Sequence, residues 1–147
     1  MTNRANWPLM LAGAGSVAAA VAHIACILGG PDWYRFVGAG EAMARSVEQG
    51  HWQPHAMTAG IAVVLFGWAW FAFAAAGKAP RPPLLRTGLI AIIIVLMLRA
   101  GAALLPGVWT AEYSPTFIIA SSLIVLALGL AFLIGTIKAW TALSKRT

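Results

Sequence analysis

Four apolar runs govern what this chain can become: residues 9–28, 56–77, 86–105 and 116–138. Each approaches or exceeds the roughly 20 residues that carry a helix across a bilayer core. Apart from Arg86 and Lys138 at run ends, Arg99 is the only charge inside them. With 61% hydrophobic and 10% charged residues, the chain lacks the charge, about a quarter of all residues, that coats a soluble domain. The expected fold is all-α: an integral membrane four-transmembrane-helix bundle forming one domain over residues 1–147, with no room for a separate soluble unit. The first run resembles a secretory signal, but no small-x-small cleavage site follows it and His23 disfavours a lipoprotein site at Cys26. It therefore reads as retained.

Charge sets the expected orientation. Four spans put Arg4, Lys78, Arg81, Arg86, Lys138, Lys145 and Arg146 on one side and only Arg35 and Arg45 on the other. The positive-inside rule then places both termini in the cytoplasm of a bacterial inner (plasma) membrane protein. All four acids, Asp32, Glu41, Glu48 and Glu112, fall outside. The net charge of +6 thus reflects topology and anionic lipid head groups, and argues against a nucleic-acid partner. Tryptophans mark the same frame: Trp33, Trp52 and Trp109 at the outer boundary, Trp7 and Trp140 at the inner one, with Trp68 and Trp70 inside the second span.

The longest connection, between spans one and two, has features of its own. Gly29, Gly30 and Pro31 stop the first helix, and Asp32 is a candidate cap for the next. Phe36, Gly40, Met43 and Val47 recur at helical spacing opposite Glu41, Arg45 and Glu48, so residues 34–49 read as one amphipathic helix on the outer leaflet or over the bundle. The run GGPDWYRFVGAGE, Gly29 to Glu41, resembles a segment of small, uncharacterised bacterial four-span inner-membrane proteins. That resemblance implies the membrane and carries over no catalytic residue.

Small residues decide how the spans meet. Ala12 to Ser16 and Ala18 to Ala20 thin the first helix, and Ser121, Ser122, Gly129 and Gly135 thin the fourth, allowing close approach where no hydrophobic effect joins helices. The single Cys26 excludes an internal disulfide and reads as a packing residue.

The candidate site is a polar and aromatic cluster at the outer face: Arg99, Glu41, His23, Asp32, Tyr34, Trp33 and His55. Arg99 dominates, because a guanidinium within a span is costly and wants a partner or a route to water. It lies close enough to the outer end to snorkel. The sharper expectation is an ion pair with Glu41, or else Asp32, folded down by the loop helix, although Glu41 also stands four residues before Arg45 and forms an ordinary helix pair there. His23 has a bland reading, a hydrogen bond within the bundle, and so do His51 and His55 around Trp52. Pro54 between the latter two argues against a shared metal. Axial haem ligation by His23 and His55 is a weak alternative to having no cofactor. No nucleophile with a base, phosphate loop or carboxylate pair is visible.

The leading functional expectation is a non-enzymatic protein binding a lipid or small amphiphile in an outward-facing pocket lidded by Tyr34 to Gln49. Two alternatives stand beside it. One is an accessory or assembly subunit of a larger membrane complex or homo-oligomer; the other is an enzyme or carrier moving protons through His23 and Glu41.

Overall fold

The computed structural model describes residues 6–144; Arg4, Lys145 and Arg146, three of the charges used to orient the chain, lie outside the described residues. Among the described residues six α-helices follow one another: α1 Trp7–Gly29, α2 Pro31–Phe36, α3 Glu41–Glu48, α4 Gln53–Ala75, α5 Leu85–Gly101 and α6 Pro115–Ser144, with a 3-10 turn at Ala102–Leu104. Four of them, α1, α4, α5 extended by that turn, and α6, are long and apolar enough to cross a membrane. This is a multi-pass all-α membrane protein. Four crossings put the start of α1, the end of α6 and the α4–α5 connection at one end, the terminal end, and α2, α3 and the α5–α6 connection at the other, the cap end.

Local chemistry sets the helix ends. Pro8 occupies the first turn of α1, and the Asn6 side chain caps it by accepting from the Leu9 backbone N–H at 3.4 Å. The same amide donates to the Gly135 carbonyl at 2.8 Å, stapling the start of α1 to α6. At the far end Gly30 turns the chain, its N–H reaching the Cys26 carbonyl, and Pro31 opens α2. The basic connection after α4 is held by Trp70, whose indole N–H donates to the Pro80 carbonyl at 2.9 Å. Ser114 caps α6 by accepting from the Phe117 N–H at 3.1 Å. With 30 residues, α6 is about 45 Å long, more than a hydrocarbon core is thick, so it tilts or emerges.

Packing follows the small residues. One face of α1, Leu9, Ala12, Gly13, Ser16 and Ala20, is buried against α4 and α6. At Gly135 a Cβ would stand 2.6 Å from Leu9 Cγ and 2.8 Å from its backbone nitrogen, so only glycine lets the two backbones meet. Leu89, Ile92 and Leu96 of α5 join Leu9 and Phe132 in the main core. Contact between α4 and α5 is thinner, leaving a groove of about 370 Å³ lined by Val64, Gly67, Gly88 and Val95 among others. Val21, Leu28, Val63, Ile94, Leu123 and Ile124 all face outward, an arrangement suited to lipid and hazardous in water.

The α1–α4 connection holds the anticipated amphipathic helix in a shorter form. Where one helix over 34–49 was expected, α2 and α3 are separated at Gly38 (φ 77°) and Gly40 (φ 95°), a backbone that residues with a Cβ resist. The break redirects the apolar stripe. Phe36 is 85% exposed, while Val37, Met43 and Val47 pack around Cys26, Tyr34 and Ala44 in a small core of their own. That core seats the cap on the end of α1.

Candidate functional site

Of the seven residues expected to converge at the cap end, five divide among three separate arrangements and two, His23 and Trp33, stand apart. The first is centred on a residue outside that set, Arg35. Its Nε and Nη2 donate to the two oxygens of Glu41 at 3.0 and 2.9 Å, and Nη1 donates to Glu48 at 2.7 Å. Asp32 lies 3.6 Å away. Arg45 approaches Glu41 as well, at 3.8 Å. A guanidinium presents a planar fork that suits a carboxylate edge-on, and α2 and α3 bring the acids to it over short loops. Hydrogen bonds from Arg35 hold the Glu41 and Glu48 carboxyls below their ordinary 4.5, and those same bonds raise the arginine above its own ordinary value. The hub is wet, with Glu41 and Glu48 nearly half exposed.

The second arrangement is buried. Tyr34 is 2% exposed, and its hydroxyl donates to Thr58 Oγ1 at 3.1 Å, which donates in turn to the Pro54 carbonyl at 2.8 Å. Tyr34 also stands 3.2 Å from His55 Nδ1. With the phenol proton directed at Thr58, that contact is a hydrogen bond in the His55 tautomer protonated at Nδ1. The chain His55, Tyr34, Thr58, Pro54 leaves no polar atom of the buried phenol without a partner. It fastens α2 to the first turn of α4. Thr58 escaped the sequence reading, although it lies four residues after Pro54 and three after His55, on the same helical face.

Arg99 forms the third arrangement, and here the expected ion pair is overturned. Glu41 and Asp32 are both held by Arg35, and among the described residues no carboxylate comes within ion-pair distance of Arg99. Nη1 and Nη2 instead donate to Ser122 and Ser121 Oγ at 3.5 and 3.4 Å, and the guanidinium lies 4.5 Å from the centre of the Trp109 ring. The reason is reach and solvation: Arg35 sits beside the acids in water, whereas pairing with Arg99 would strip a carboxylate of water. Trp109 is pinned by its indole N–H, which donates to the Ala102 carbonyl at 3.1 Å.

The first loop is nonetheless tied to the third span, through rings rather than charges. Trp109 meets Tyr113 edge-on at 5.3 Å and Phe117 at 6.2 Å, and Tyr113 stacks on Phe117 at 5.5 Å. Phe117 lies under Gly38, where a Cβ would be 2.5 Å from the ring, and Tyr113 and Glu112 lie beside Gly40. Contact therefore runs from Arg99 through Trp109 and Phe117 to the turn between α2 and α3.

An open groove of about 620 Å³ lies beside this turn, bounded by α3, the start of α4 and the α5–α6 connection. Ala39, Ala42, Met43, Pro54 and Met57 make it apolar; Ser46, His51, Gln53, Glu112 and Tyr113 add polar groups. None of the seven anticipated site residues lines it. Among the described residues Glu112 makes no ion pair.

The remaining candidates lie elsewhere. His23 bonds through Nδ1 to the Ala19 carbonyl of its own helix at 2.7 Å. Trp33 folds over Gly29 and meets Phe36 edge-on at 6.2 Å. Among the described residues no three His, Cys, Asp or Glu side chains gather as a metal site. Comparison with protein families, curated proteins and solved structures returns no match.

Proposed function

We propose that this is a small bacterial inner-membrane protein, both termini cytoplasmic, that binds a lipid or small amphiphile in the groove beside α3. One observation carries the reading: a groove of about 620 Å³ opens at the cap end, where the apolar bundle gives way to the charged hub. Sites for small molecules combine apolar walls with a few placed polar groups. Met43 and Met57 supply adaptable apolar surface, Met57 being 52% exposed, while Glu112 and His51 stand at the rim. A carboxylate without an ion-pair partner favours an occupant whose head is cationic or donates hydrogen bonds. The aqueous hub over Arg35 supports an outward orientation through the positive-inside count, and a lipid-facing exterior supports lipids as the source of occupants.

The test is native mass spectrometry of gently extracted protein, wild type against Ala42→Trp, which fills the groove from its exposed wall. The reading expects an amphiphile on the wild type, lost in the variant while the melting temperature holds. An unchanged adduct in Ala42→Trp would refute it.

A second reading, an accessory or assembly subunit, draws on the loose α4–α5 seam and its glycines. Of the small residues of α1, Ala12, Gly13, Ser16 and Ala20 are spent inside the bundle, while Ala14, Ala18 and Ala22 stay exposed along one stripe. Proton transfer between His23 and Glu41 draws no comparable support: the one is bonded within α1 and the other to Arg35.

A further inference from the structure

We propose that Arg99 is the binding site for the phosphate of an anionic phospholipid from the leaflet on the cap side. A guanidinium carries five N–H donors and one positive charge. In this structure two donors go to serine hydroxyls, at 3.4 and 3.5 Å, the long limit of such bonds. The other three have no acceptor among the described residues, and no carboxylate balances the charge. Trp109 stabilises the cation through its face but neither neutralises it nor satisfies an N–H. A phosphodiester does both, taking two parallel hydrogen bonds from the fork.

Position names the lipid as the source. Trp109 comes back from beyond the end of α5 to lie against Arg99, and its indole N–H is committed to Ala102. Tyr113 and Phe117 back it in turn, so rings cover the approach from the aqueous end. Beside the seam, Leu98, Ile119 and Leu123 are 70%, 59% and 59% exposed and face the bilayer. Arg99 lies five residues, or about 8 Å, below Leu104, a depth that an arginine stem and local bilayer thinning together bridge. A head group of net negative charge suits a lone cation better than a zwitterion, whose own cation would be brought beside the guanidinium. The site is separate from the groove beside α3, and either proposal stands if the other fails.

The test uses delipidated full-length protein titrated with phosphatidylglycerol, phosphatidylcholine or diacylglycerol of matched chains, read by native mass spectrometry. One tight phosphatidylglycerol is expected, bound several-fold more strongly than phosphatidylcholine, with diacylglycerol at least about tenfold weaker. Arg99→Gln should lose that copy's advantage, Arg99→Lys should keep the charge but bind several-fold more weakly, and Arg86→Gln at the terminal end should change nothing. Equal affinity for phosphatidylglycerol and diacylglycerol in the wild type overturns the proposal, as does equal affinity of wild type and Arg99→Gln. Displacement of the tight lipid by inorganic phosphate would also overturn it, making a soluble anion the occupant. If Arg99→Gln fails to fold, as judged by circular dichroism, Arg99→Lys decides: binding indistinguishable from wild type refutes the forked phosphate contact.

Discussion

Two arginines divide the polar chemistry of this protein, and their surroundings are opposite. Among the described residues, Arg35, in the cap, touches three carboxylates, whereas Arg99, inside a span, touches none and rests on two serines and an indole. Counting charges would give an acid to the arginine that needs it most. Solvation gives it to the arginine that can be reached without burying a carboxylate. What the protein itself sets against this half-buried cation is therefore neutral: hydroxyl oxygens and a π face, both of which enter an apolar seam with little desolvation cost.

If the cap is held down by burial and the hub merely decorates it, removing the pin should outweigh removing the charge. Tyr34→Ala takes a fully buried ring out of the small core, at about 3–5 kcal/mol by analogy with other buried aromatic truncations. Hydrogen exchange should rise across residues 31–48 while the α5–α6 seam stays protected; equal loosening of both regions would contradict the division. Next comes Trp109→Ala, which strips the indole from Arg99 at about 0.5–2 kcal/mol for the cation–π contact, plus its bond to Ala102. The thermal melt should fall and exchange at the start of α6 should rise, with the Arg35 hub intact.

Arg35→Gln should move the melt less than Trp109→Ala, since exposed ion pairs contribute little. Its effect should fade in about 1 M salt, where screening extends to a few ångström, whereas the Trp109 effect should persist. The smallest effect is that of pH. Because Glu41 and Glu48 titrate below their ordinary 4.5 in the folded cap, their contribution is complete above that value and is lost as pH falls through the lowered one. Exchange in α2 and α3 should increase only in that acid window, and Arg35→Gln should abolish the dependence. An unchanged acid response in Arg35→Gln would mean that the hub is not its source.

Much of the architecture was legible because lipid imposes a simple rule: about 20 apolar residues make a span, and residues 9–28 or 116–138 can hardly be read otherwise. The split of the cap was hidden because Gly40 falls on the helical stripe with Met43 and Val47, and spacing does not reveal that its φ is 95°. The site was harder. His55 and Tyr34 were singled out for their chemistry and do meet, but their link through Thr58 depends on how α2 lands on α4. For Arg99 the sequence offers four acids and no geometry. Trp109 stands ten residues later as an apparent interfacial anchor, and Ser121 and Ser122 as packing residues. Only the return of the α5–α6 connection turns them into its partners. The groove beside α3 draws on three separate segments, and no local pattern marks it.

The most direct test of neutral ligation is a pair of double-mutant cycles on thermal or denaturant stability, one crossing Arg99→Gln with Trp109→Ala and the other crossing Arg99→Gln with Glu41→Gln. Neutral ligation predicts a clear coupling energy in the first, of the order of 1 kcal/mol for a cation–π contact, and none beyond error in the second. A coupling to Glu41 that equals or exceeds the coupling to Trp109 would contradict it.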